Sequence, residues 1–395
     1  MRQPETEDSS SSIDQPPAST TTHSPHLSDS NNRSLRVGYA LNPKKTRLFD
    51  ARGLFTPPTS TPPPNTPHPT FTPLDFTRPL DEQGPFDVLL LKLTDSMARA
   101  LYGADEEAAQ LVERAEKYGR ESGCMMIDDL QLVRRVLDRR RISEVLTAAN
   151  LTVANYPVRA PPAIHLQLPT TEPVALPFPF PVICKPVQSC GSASSHTFYI
   201  LYSVEQLCNL SCVSGSYVVQ QLLPHSGTMY KVYVINGESF VIPKPSLPPH
   251  ITTPPPPTHP HHPPPHPLTL DSQSMSLTPL TTATVPLAAE AAIVEAGASV
   301  SGGMVGVLAG VAVELSGVFG LTLYGFDVVE SGGVLYVVDV NYFPSYNRVD
   351  GLSDKLAAAI QDKYGREMAA RQRLVSEQQK AVEVRGAATN GNSAR

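Results

Sequence analysis

Two neighbouring runs near the C-terminal end of the chain constrain its fold most. Tyr324–Glu330 (YGFDVVE) and Leu335–Pro344 (LYVVDVNYFP) are rich in β-branched and aromatic residues, and a Ser-Gly-Gly turn separates them. This pattern predicts an antiparallel hairpin. Asp339 and Asn341 are two residues apart and therefore share one face of the second strand, with Asp327 on the neighbouring strand. Three oxygen donors on one sheet face suit Mg²⁺, although a solvated strand face explains the Asp-x-Asn pair equally well.

Two further segments favour a phosphate ligand over a bare sheet face. An apolar strand ends at Lys185, and a loop of small polar residues follows at Ser189–His196 (SCGSASSH). Free backbone N–H groups in such a loop can bind phosphate oxygens, and the lysine adds a point charge. Tyr217–Leu223 and Met229–Ile235 then predict two strands joined by a polar linker. The order of phosphate lysine, purine linker, second lysine and metal carboxylates resembles the ATP-grasp architecture.

Seven short segments in one order carry a closer resemblance. They are Arg36–Leu41 with Lys44 and Lys45, Arg78–Asp95, Leu137–Arg139, Lys185–His196, Tyr230–Val232, Lys244–Pro248 and Asp339–Pro344. Each is weak alone, but together they resemble the inositol-tetrakisphosphate 1-kinase family, also called the inositol 1,3,4-trisphosphate 5/6-kinase family. The resemblance runs from about Arg36 to Ala359. At two positions the chain departs from that family, with Lys244 in place of a common arginine and Ser345 in place of a common glycine.

The resemblance implies an α/β fold with α+β lobes, in which an N-terminal α/β domain precedes an ATP-grasp domain. Composition suggests the boundaries, which are a disordered leader at 1–34, the N-terminal domain at 35–128, the ATP-grasp domain at 129–365 and a polar tail at 366–395. Much of the content of 41 prolines lies in two stretches, 56–73 and 249–282, which we expect to be disordered insertions. Apolar spacing predicts one helix over Leu130–Ala149.

The resemblance also implies an activity and its residues. The expected enzyme is an ATP-dependent kinase that phosphorylates inositol 1,3,4-trisphosphate at the 5- or 6-hydroxyl, inositol 3,4,5,6-tetrakisphosphate at the 1-hydroxyl, or both. The implied ATP-binding residues are Arg139, Lys185, Gln220, Gln221, Lys231 and Ser246. The implied residues for the inositol phosphate are Lys45, Lys92, His196, Lys231 and Asn341. Asp327, Asp339 and Asn341 would bind Mg²⁺, as two ions, and the implied catalytic residues are Lys185, Asp339 and Asn341.

Several of these positions keep alternatives when the residues are considered by themselves. Arg139 lies among four other arginines, and without the resemblance a helix-surface charge is the favoured explanation for it; Lys44 is the neighbouring choice to Lys45. Lys92 ends an apolar strand, where a buried lysine without an anion is costly, and this favours a ligand there.

Composition excludes other classes of function. A net charge of −6 argues against a general nucleic-acid binder, and no apolar stretch reaches the length of a membrane span. Five cysteines show neither a paired framework nor a metal spacing. We therefore expect a monomeric cytoplasmic protein, and we leave open whether it also enters the nucleus. A catalytically weakened module that binds inositol phosphate or nucleotide is the alternative, and an ATP-grasp ligase forming a C–N bond is a third hypothesis.

Overall fold

The computed structural model of the chain describes residues 33–55, 68–170, 174–210, 213–252, 266–274, 276–279 and 302–390. Most of the predicted leader lies outside these residues. The strands are β1 (Arg36–Ala40), β2 (Thr70–Pro73), β3 (Val88–Leu91), β4 (Met125–Ile127), β5 (Thr152–Val153), β6 (Tyr156–Arg159), β7 (Ala163–Leu168), β8 (Val182–Pro186), β9 (Thr197–Leu201), β10 (Gly215–Gln221), β11 (Thr228–Ile235), β12 (Glu238–Pro245), β13 (Leu268–Asp271), β14 (Ser276–Pro279), β15 (Leu323–Ser331) and β16 (Val334–Tyr342). The helices are α1 (Pro43–Asp50), α2 (Thr94–Tyr102), α3 (Glu106–Ser122), α4 (Leu130–Val133), α5 (Arg139–Ala149), α6 (Val204–Cys208), α7 (Pro249–Thr252), α8 (Gly302–Phe319) and α9 (Leu352–Asn390).

The N-terminal part of the chain forms a four-stranded parallel sheet in the order β2-β1-β3-β4. All four residues of β3 (VLLL) are buried, as expected for a parallel strand covered on both faces. One apolar core continues from this sheet into the hairpin of β15 and β16, through residues such as Leu90 and Tyr342. The N-terminal sheet is therefore packed firmly against one side of the rest of the molecule.

Two six-stranded sheets follow. The second sheet has the order β14-β13-β9-β8-β10-β7, and the third has the order β12-β11-β15-β16-β6-β5. The second sheet has its own apolar clusters, one of which centres on Val182 and Val219 and the other on Ile200 and Leu270. A cleft separates the second sheet from the third, and elements from both contribute to its walls.

The predicted hairpin is confirmed as β15 and β16, which pair antiparallel. Gly332 and Gly333 form the two-residue turn with φ of 58° and 77°, which is the backbone that such turns require and that glycine adopts without strain. Asp327 lies directly opposite Asp339, and the register shifts immediately after Asp327. The pairing therefore places the two carboxylates on adjacent positions of neighbouring strands.

Expected disorder is wrong for parts of the two proline-rich stretches. Thr70–Pro73, within 56–73, is the edge strand β2, and β13 and β14 lie within 249–282. Alternating leucines, of which Leu270 is buried, hold β13 against β9, and this pattern outweighs the surrounding prolines. The tail after residue 365 continues α9 to Asn390, because it is rich in good helix formers and contains no proline.

The helix predicted over Leu130–Ala149 is interrupted. A short 3-10 helix at Arg134–Val136 follows α4, and α5 begins anew at Arg139. The Asp138 side chain accepts hydrogen bonds from the backbone N–H groups of Arg140 and Arg141. This N-cap turns the chain and places Arg139 at the inner end of α5. No helix in the described part of the chain combines the length and apolar character needed to cross a membrane.

Candidate active site

A cavity of about 330 Å³ lies in the cleft between the second and third sheets. Ten of the twelve predicted site residues line it, and these are Arg139, Lys185, His196, Gln220, Gln221, Lys231, Ser246, Asp327, Asp339 and Asn341. Lys45 and Lys92 lie outside its walls. Side chains from positions as far apart in the sequence as Arg139 and Asn341 thus line one cavity.

The carboxylates of the hairpin form the floor of this cavity. Asn341 Nδ2 donates to Asp339 Oδ2 at 2.8 Å, whereas Asp339 Oδ1 is buried and has no hydrogen-bond partner. Lys231, opposite Asp327 in the sheet register, forms an ion pair of 2.7 Å with Asp327 Oδ2. Burial disfavours the charged form of Lys231, but attraction to Asp327 and Asp339 prevails and raises its pKa. Lys231 is therefore a charged partner of the carboxylates.

The predicted phosphate lysine is held from two sides. Lys185 Nζ donates to Gln220 Oε1 at 2.7 Å and to the carbonyl of Val338 at 3.1 Å. Burial lowers the pKa of Lys185 to about 8, and nearby Asp339 limits the shift. The lysine is therefore mainly protonated at neutral pH, and its position is fixed by neutral acceptors.

Arg139 is buried, so the alternative of a helix-surface charge is wrong for this residue. Its Nη1 donates to the carbonyls of Pro186 at 2.7 Å and Gln188 at 2.8 Å, and its Nη2 donates to that of Ser195 at 3.1 Å. The next arginine along the chain, Arg140, is half-exposed and pairs with Asp138. Arg139 thus binds the backbone around the Ser189–His196 loop.

The loop itself contacts α2, the helix that follows β3. Gly191 has φ of 86°, and a Cβ atom there would lie 2.8 Å from that of Ala98 in α2. Glycine is required on both counts, because φ is positive and the helix approaches closely. His196 ends the loop, and burial together with the charge of Arg139 lowers its pKa.

His225 is a cavity residue that the sequence did not single out. Its Nδ1 lies 2.8 Å from the carbonyl of Leu223, and its Nε2 lies 2.8 Å from Ser246 Oγ. A carbonyl only accepts, so Nδ1 carries the proton and neutral Nε2 accepts from Ser246. Burial lowers the pKa of His225, in agreement with this assignment. The imidazole fixes the orientation of the Ser246 hydroxyl, a contact that only tertiary structure reveals.

The two N-terminal lysines meet the end of the hairpin. Lys45 Nζ lies 5.5 Å from the ring centre of Phe49 and 5.4 Å from that of Phe343. Burial and the nearby charge of Lys92 lower the pKa of Lys45 to about 6. Lys92 Nζ donates to the carbonyl of Tyr342. Tyr342 and Phe343 directly follow Asn341, so both lysines lie beside the backbone that continues from the carboxylate floor.

The structure also decides three positions that the sequence left open, which are Lys44, Lys244 and Ser345. Lys44 is exposed whereas Lys45 is buried. Lys244 lines the cavity from β12, where burial and nearby Lys231 lower its pKa. The non-glycine residues with positive φ after Asn341 are Phe343, Tyr346 and Arg348, and Ser345 is not among them. Serine in place of glycine at 345 therefore causes no backbone strain.

Comparison with known proteins gives a consistent family. Residues 36–122 match the pre-ATP-grasp domain of inositol 1,3,4-trisphosphate 5/6-kinase, and residues 169–260 and 265–362 match its ATP-grasp domain. Inositol-tetrakisphosphate 1-kinase 1 of Oryza sativa subsp. indica is 27% identical over 348 residues, which is 85% of this chain and 87% of that protein. The inositol-tetrakisphosphate 1-kinase of Xenopus laevis is 30% identical over 181 residues, or 44% of each chain. The D-alanine–D-alanine ligase from Bacillus anthracis complexed with ATP aligns with a TM-score of 0.48 at 11% identity, covering 86% of this chain and all (100%) of that one.

Proposed function

Because this chain belongs to the inositol 1,3,4-trisphosphate 5/6-kinase family and has its ATP-grasp fold, we propose which substrates it uses and how it acts. The chain is an ATP-dependent inositol phosphate kinase. Its proposed substrates are inositol 1,3,4-trisphosphate, phosphorylated at the 5- or 6-hydroxyl, and inositol 3,4,5,6-tetrakisphosphate, phosphorylated at the 1-hydroxyl. One observation carries the proposal: Lys185, Asp327, Asp339 and Asn341 meet in one cleft, and Lys45 and Lys92 lie at the end of the same hairpin.

The residues at the carboxylate floor fit Mg²⁺. Asp339 Oδ1 is buried without a partner, which leaves an oxygen lone pair for a cation. In the described part of the chain, no three His, Cys, Asp or Glu side chains form a metal cluster, so the site offers two carboxylates and the amide of Asn341. Few protein ligands, completed by water and substrate phosphates, are what Mg²⁺ prefers. Bound there, Mg²⁺ would neutralise charge on the phosphoryl oxygens.

The nucleotide would occupy the cavity between the sheets. Lys185 and the N–H groups of the Ser189–His196 loop would face its phosphates, and Gln220, Gln221 and Ser246 would face the nucleoside. Lys231 would lie between the two substrates and contact both, since its ion pair with Asp327 places it at the carboxylate floor. Phosphoryl transfer requires mainly positioning and neutralised charge, which these fixed groups supply.

The inositol phosphate would bind on the side of the N-terminal sheet. Lys45, Lys92 and His196 come from three separate parts of the chain, and a polyanion needs point charges from several directions. Buried Lys45 has a pKa of about 6, so an arriving phosphate would restore its proton. Asn341 would contact both this substrate and Mg²⁺.

The deciding experiment combines purified protein, MgATP and a panel of inositol tris- and tetrakisphosphates, with ADP formation and the phosphorylated product both measured. We expect ADP formation that depends on the inositol phosphate and on Mg²⁺, with a product that gains one phosphate. Binding of both ligands without turnover would support the weakened binding module instead. Turnover only with an amine acceptor and a carboxylate would support a ligase.

A further inference from the structure

Asp128 is a fully buried carboxylate at the junction of three parts of the molecule. It directly follows β4 of the N-terminal sheet. Its Oδ2 accepts hydrogen bonds from the backbone N–H groups of Thr322 at 2.7 Å and Leu323 at 3.1 Å, where β15 begins. Its Oδ1 accepts from Lys363 Nζ of α9 at 2.7 Å. One residue therefore joins the N-terminal sheet, the hairpin and the C-terminal helix.

The backbone of Asp128 holds the other strand of the hairpin. Its N–H donates to the hydroxyl of Tyr342 at 2.6 Å, and this hydrogen bond is buried. Tyr342 is the last residue of β16 and directly follows Asn341. Asp128 thus binds both the start of β15 and the end of β16, two positions that pair with each other in the hairpin.

Tyr342 is also the residue that contacts Lys92. The ammonium of Lys92 donates to the carbonyl of Tyr342 and lies 5.4 Å from the centre of its ring. Lys92 follows β3 and Asp128 follows β4, and these two strands are parallel neighbours. The lysine and the carboxylate therefore leave the same edge of the N-terminal sheet, and both bind one tyrosine.

Lys363 supplies the charge that the buried carboxylate of Asp128 requires. It is the cation that forms an ion pair with Asp128 among the residues that the structure describes. The Nζ atom of Lys363 also donates to Thr322 Oγ1. A buried carboxylate that loses its cation is strongly destabilised. Removal of Lys363 should therefore displace Asp128 and loosen its contacts with both strands of the hairpin.

We propose that Asp128 is a positioning residue for Lys92. Held by Lys363 and by the start of β15, Asp128 fixes the hydroxyl of Tyr342. The ring and carbonyl of Tyr342 then fix the ammonium of Lys92 at the end of the hairpin. This inference rests on the proposed role of Lys92 in binding inositol phosphate. It predicts no effect on the nucleotide, because Asp128, Tyr342 and Lys363 lie outside the walls of the cavity between the sheets.

The first test compares Tyr342→Phe with Tyr324→Phe. Tyr342→Phe removes the hydroxyl that accepts from Asp128 but keeps the ring and the carbonyl that contact Lys92. Tyr324 is an equally buried tyrosine of the same hairpin, and its hydroxyl donates to the carbonyl of Ala312 in α8. The two variants lose similar buried hydrogen bonds, so only the position of the bond differs.

The second test compares Lys363→Met with Lys355→Met. Both lysines belong to α9, and both form an ion pair of 2.7 Å, Lys363 with Asp128 and Lys355 with Glu238 of β12. Urea denaturation measures the stability that each variant loses, and Tyr342→Phe carries the test if Lys363→Met does not fold.

Calorimetry measures the binding of inositol 1,3,4-trisphosphate, inositol 3,4,5,6-tetrakisphosphate and MgATP to each variant. For Tyr342→Phe we expect the Kd of the inositol phosphate to rise about five- to tenfold, and that of MgATP to change less than about twofold. Lys363→Met should raise the Kd of the inositol phosphate about tenfold or more, because it removes a charged partner. Tyr324→Phe and Lys355→Met should bind all three ligands as the wild type does.

A purely structural contact would lower stability without distinguishing the ligands. Wild-type affinity of Tyr342→Phe for inositol phosphate, or an equal loss of affinity for inositol phosphate and MgATP, would therefore overturn the proposal.

Failure of the wild type to bind either inositol phosphate would refute the proposed function itself. Amide hydrogen exchange then decides whether Asp128 holds the hairpin. Faster exchange at Thr322 and Leu323 in Lys363→Met than in Lys355→Met would support this contact, and equal exchange would overturn it.

Discussion

The half of the site proposed to bind nucleotide (the nucleotide half) and the half proposed to bind inositol phosphate (the inositol half) differ in how their buried cations are compensated. In the nucleotide half, Lys185 bonds to Gln220 and to a backbone carbonyl, and Lys231 pairs with Asp327. In the inositol half, Lys45 and Lys92 form no ion pair with any carboxylate in the described ranges of the chain. The cations of the nucleotide half have partners before a ligand arrives, whereas the surroundings of Lys45 and Lys92 disfavour their charged forms.

The pKa values show what this difference means for binding. Burial acts on all of these lysines, yet the pKa of Lys231 is raised, that of Lys185 falls to about 8 and that of Lys45 falls to about 6. Partners, and not burial alone, therefore decide which lysine stays charged at neutral pH. The nucleotide half should bind its ligand without a change in protonation, whereas the inositol half should gain a proton with its ligand.

The largest effect should come from the floor that both halves share. Asp339→Asn keeps the shape of the side chain but removes the charge that would bind Mg²⁺, so we expect turnover to fall by about 100-fold or more. The fold should be intact, because Asp339 lies at the cavity and not in the apolar core. Initial rates across a range of Mg²⁺ concentration measure this, with Asp354→Asn on the exposed surface as control. Near-wild-type turnover at saturating Mg²⁺ would remove Asp339 from the metal site.

The next largest effect should distinguish the nucleotide half from the inositol half by which ligand each variant binds more weakly. Lys92→Ala should weaken inositol phosphate binding while ATP affinity stays nearly constant, and Lys185→Ala should do the reverse. Each variant loses a charge-assisted contact of roughly 1.5–3 kcal/mol, which is about ten- to a hundredfold in affinity. Both losses should shrink as salt concentration rises.

Calorimetric titration of each ligand into each variant decides the assignment. If Lys92→Ala harms only ATP binding, or neither ligand, the N-terminal sheet is not the platform for the inositol phosphate. The division of the cleft into two halves would then be wrong.

The uncompensated charge of Lys45 should be visible in stability. Its pKa is 10.5 when unfolded and about 6 when folded, so between these values the unfolded state binds more protons and stability rises with pH. Lys45→Met should therefore raise the free energy of unfolding by at least about 1 kcal/mol at pH 7. The gain should be largest below pH 6 and vanish near pH 10.5, as measured by urea denaturation across this range. A gain that does not depend on pH would mean that Lys45 keeps its proton in the folded state.

Ligand binding gives the complementary measurement. Calorimetry at pH 7 in buffers of different ionisation enthalpy should show close to one proton taken up with inositol phosphate, and a smaller uptake with Lys45→Met, in which buried Lys92 with its lowered pKa remains. ATP binding at pH 7 should show little uptake in either protein, because Lys185, with a pKa of about 8, is mainly protonated there. Equal uptake with both ligands would erase the contrast between the halves.

Local patterns predicted the carboxylate floor well. The alternation of Tyr324–Glu330 and Leu335–Pro344, with a glycine turn between them, fixes which side chains share a face, and Asp327, Asp339 and Asn341 follow from that period of two. The strand that ends at Lys185 and the glycine-containing loop after it were predictable for the same reason. Such features depend on neighbours along the chain.

Contacts between distant segments were not predictable from these patterns. The apolar period of Leu130–Ala149 suggests one helix, and only the N-cap at Asp138 reveals that Arg139 points back at residues 186–195. The packing of Lys45 against Phe343 joins residues that are far apart in sequence. The strand β13 was also not predicted, because it lies in a proline-rich stretch. Its alternating leucines indicate a strand only once β9 is known to lie beside them.

The smallest effect is expected within the nucleotide half, at the proline-rich segment that precedes the edge hairpin of β13 and β14. Replacing residues 253–265 with a short Gly/Ser linker should change stability by less than about 1 kcal/mol, because the entropy of closing a loop varies slowly with its length. The KM for ATP should be unchanged, since Thr252 before the segment and Leu268 after it keep their places. Replacing Leu268–Pro279 is the matched comparison: it removes β13 and buried Leu270, which lines the cavity, and should lower both stability and ATP affinity. If the linker variant loses as much ATP affinity as the hairpin variant, then residues 253–265 are part of the nucleotide half. The nucleotide half would then be less complete before its ligand binds than the partners of Lys185 and Lys231 indicate, and the contrast with the inositol half would be weaker.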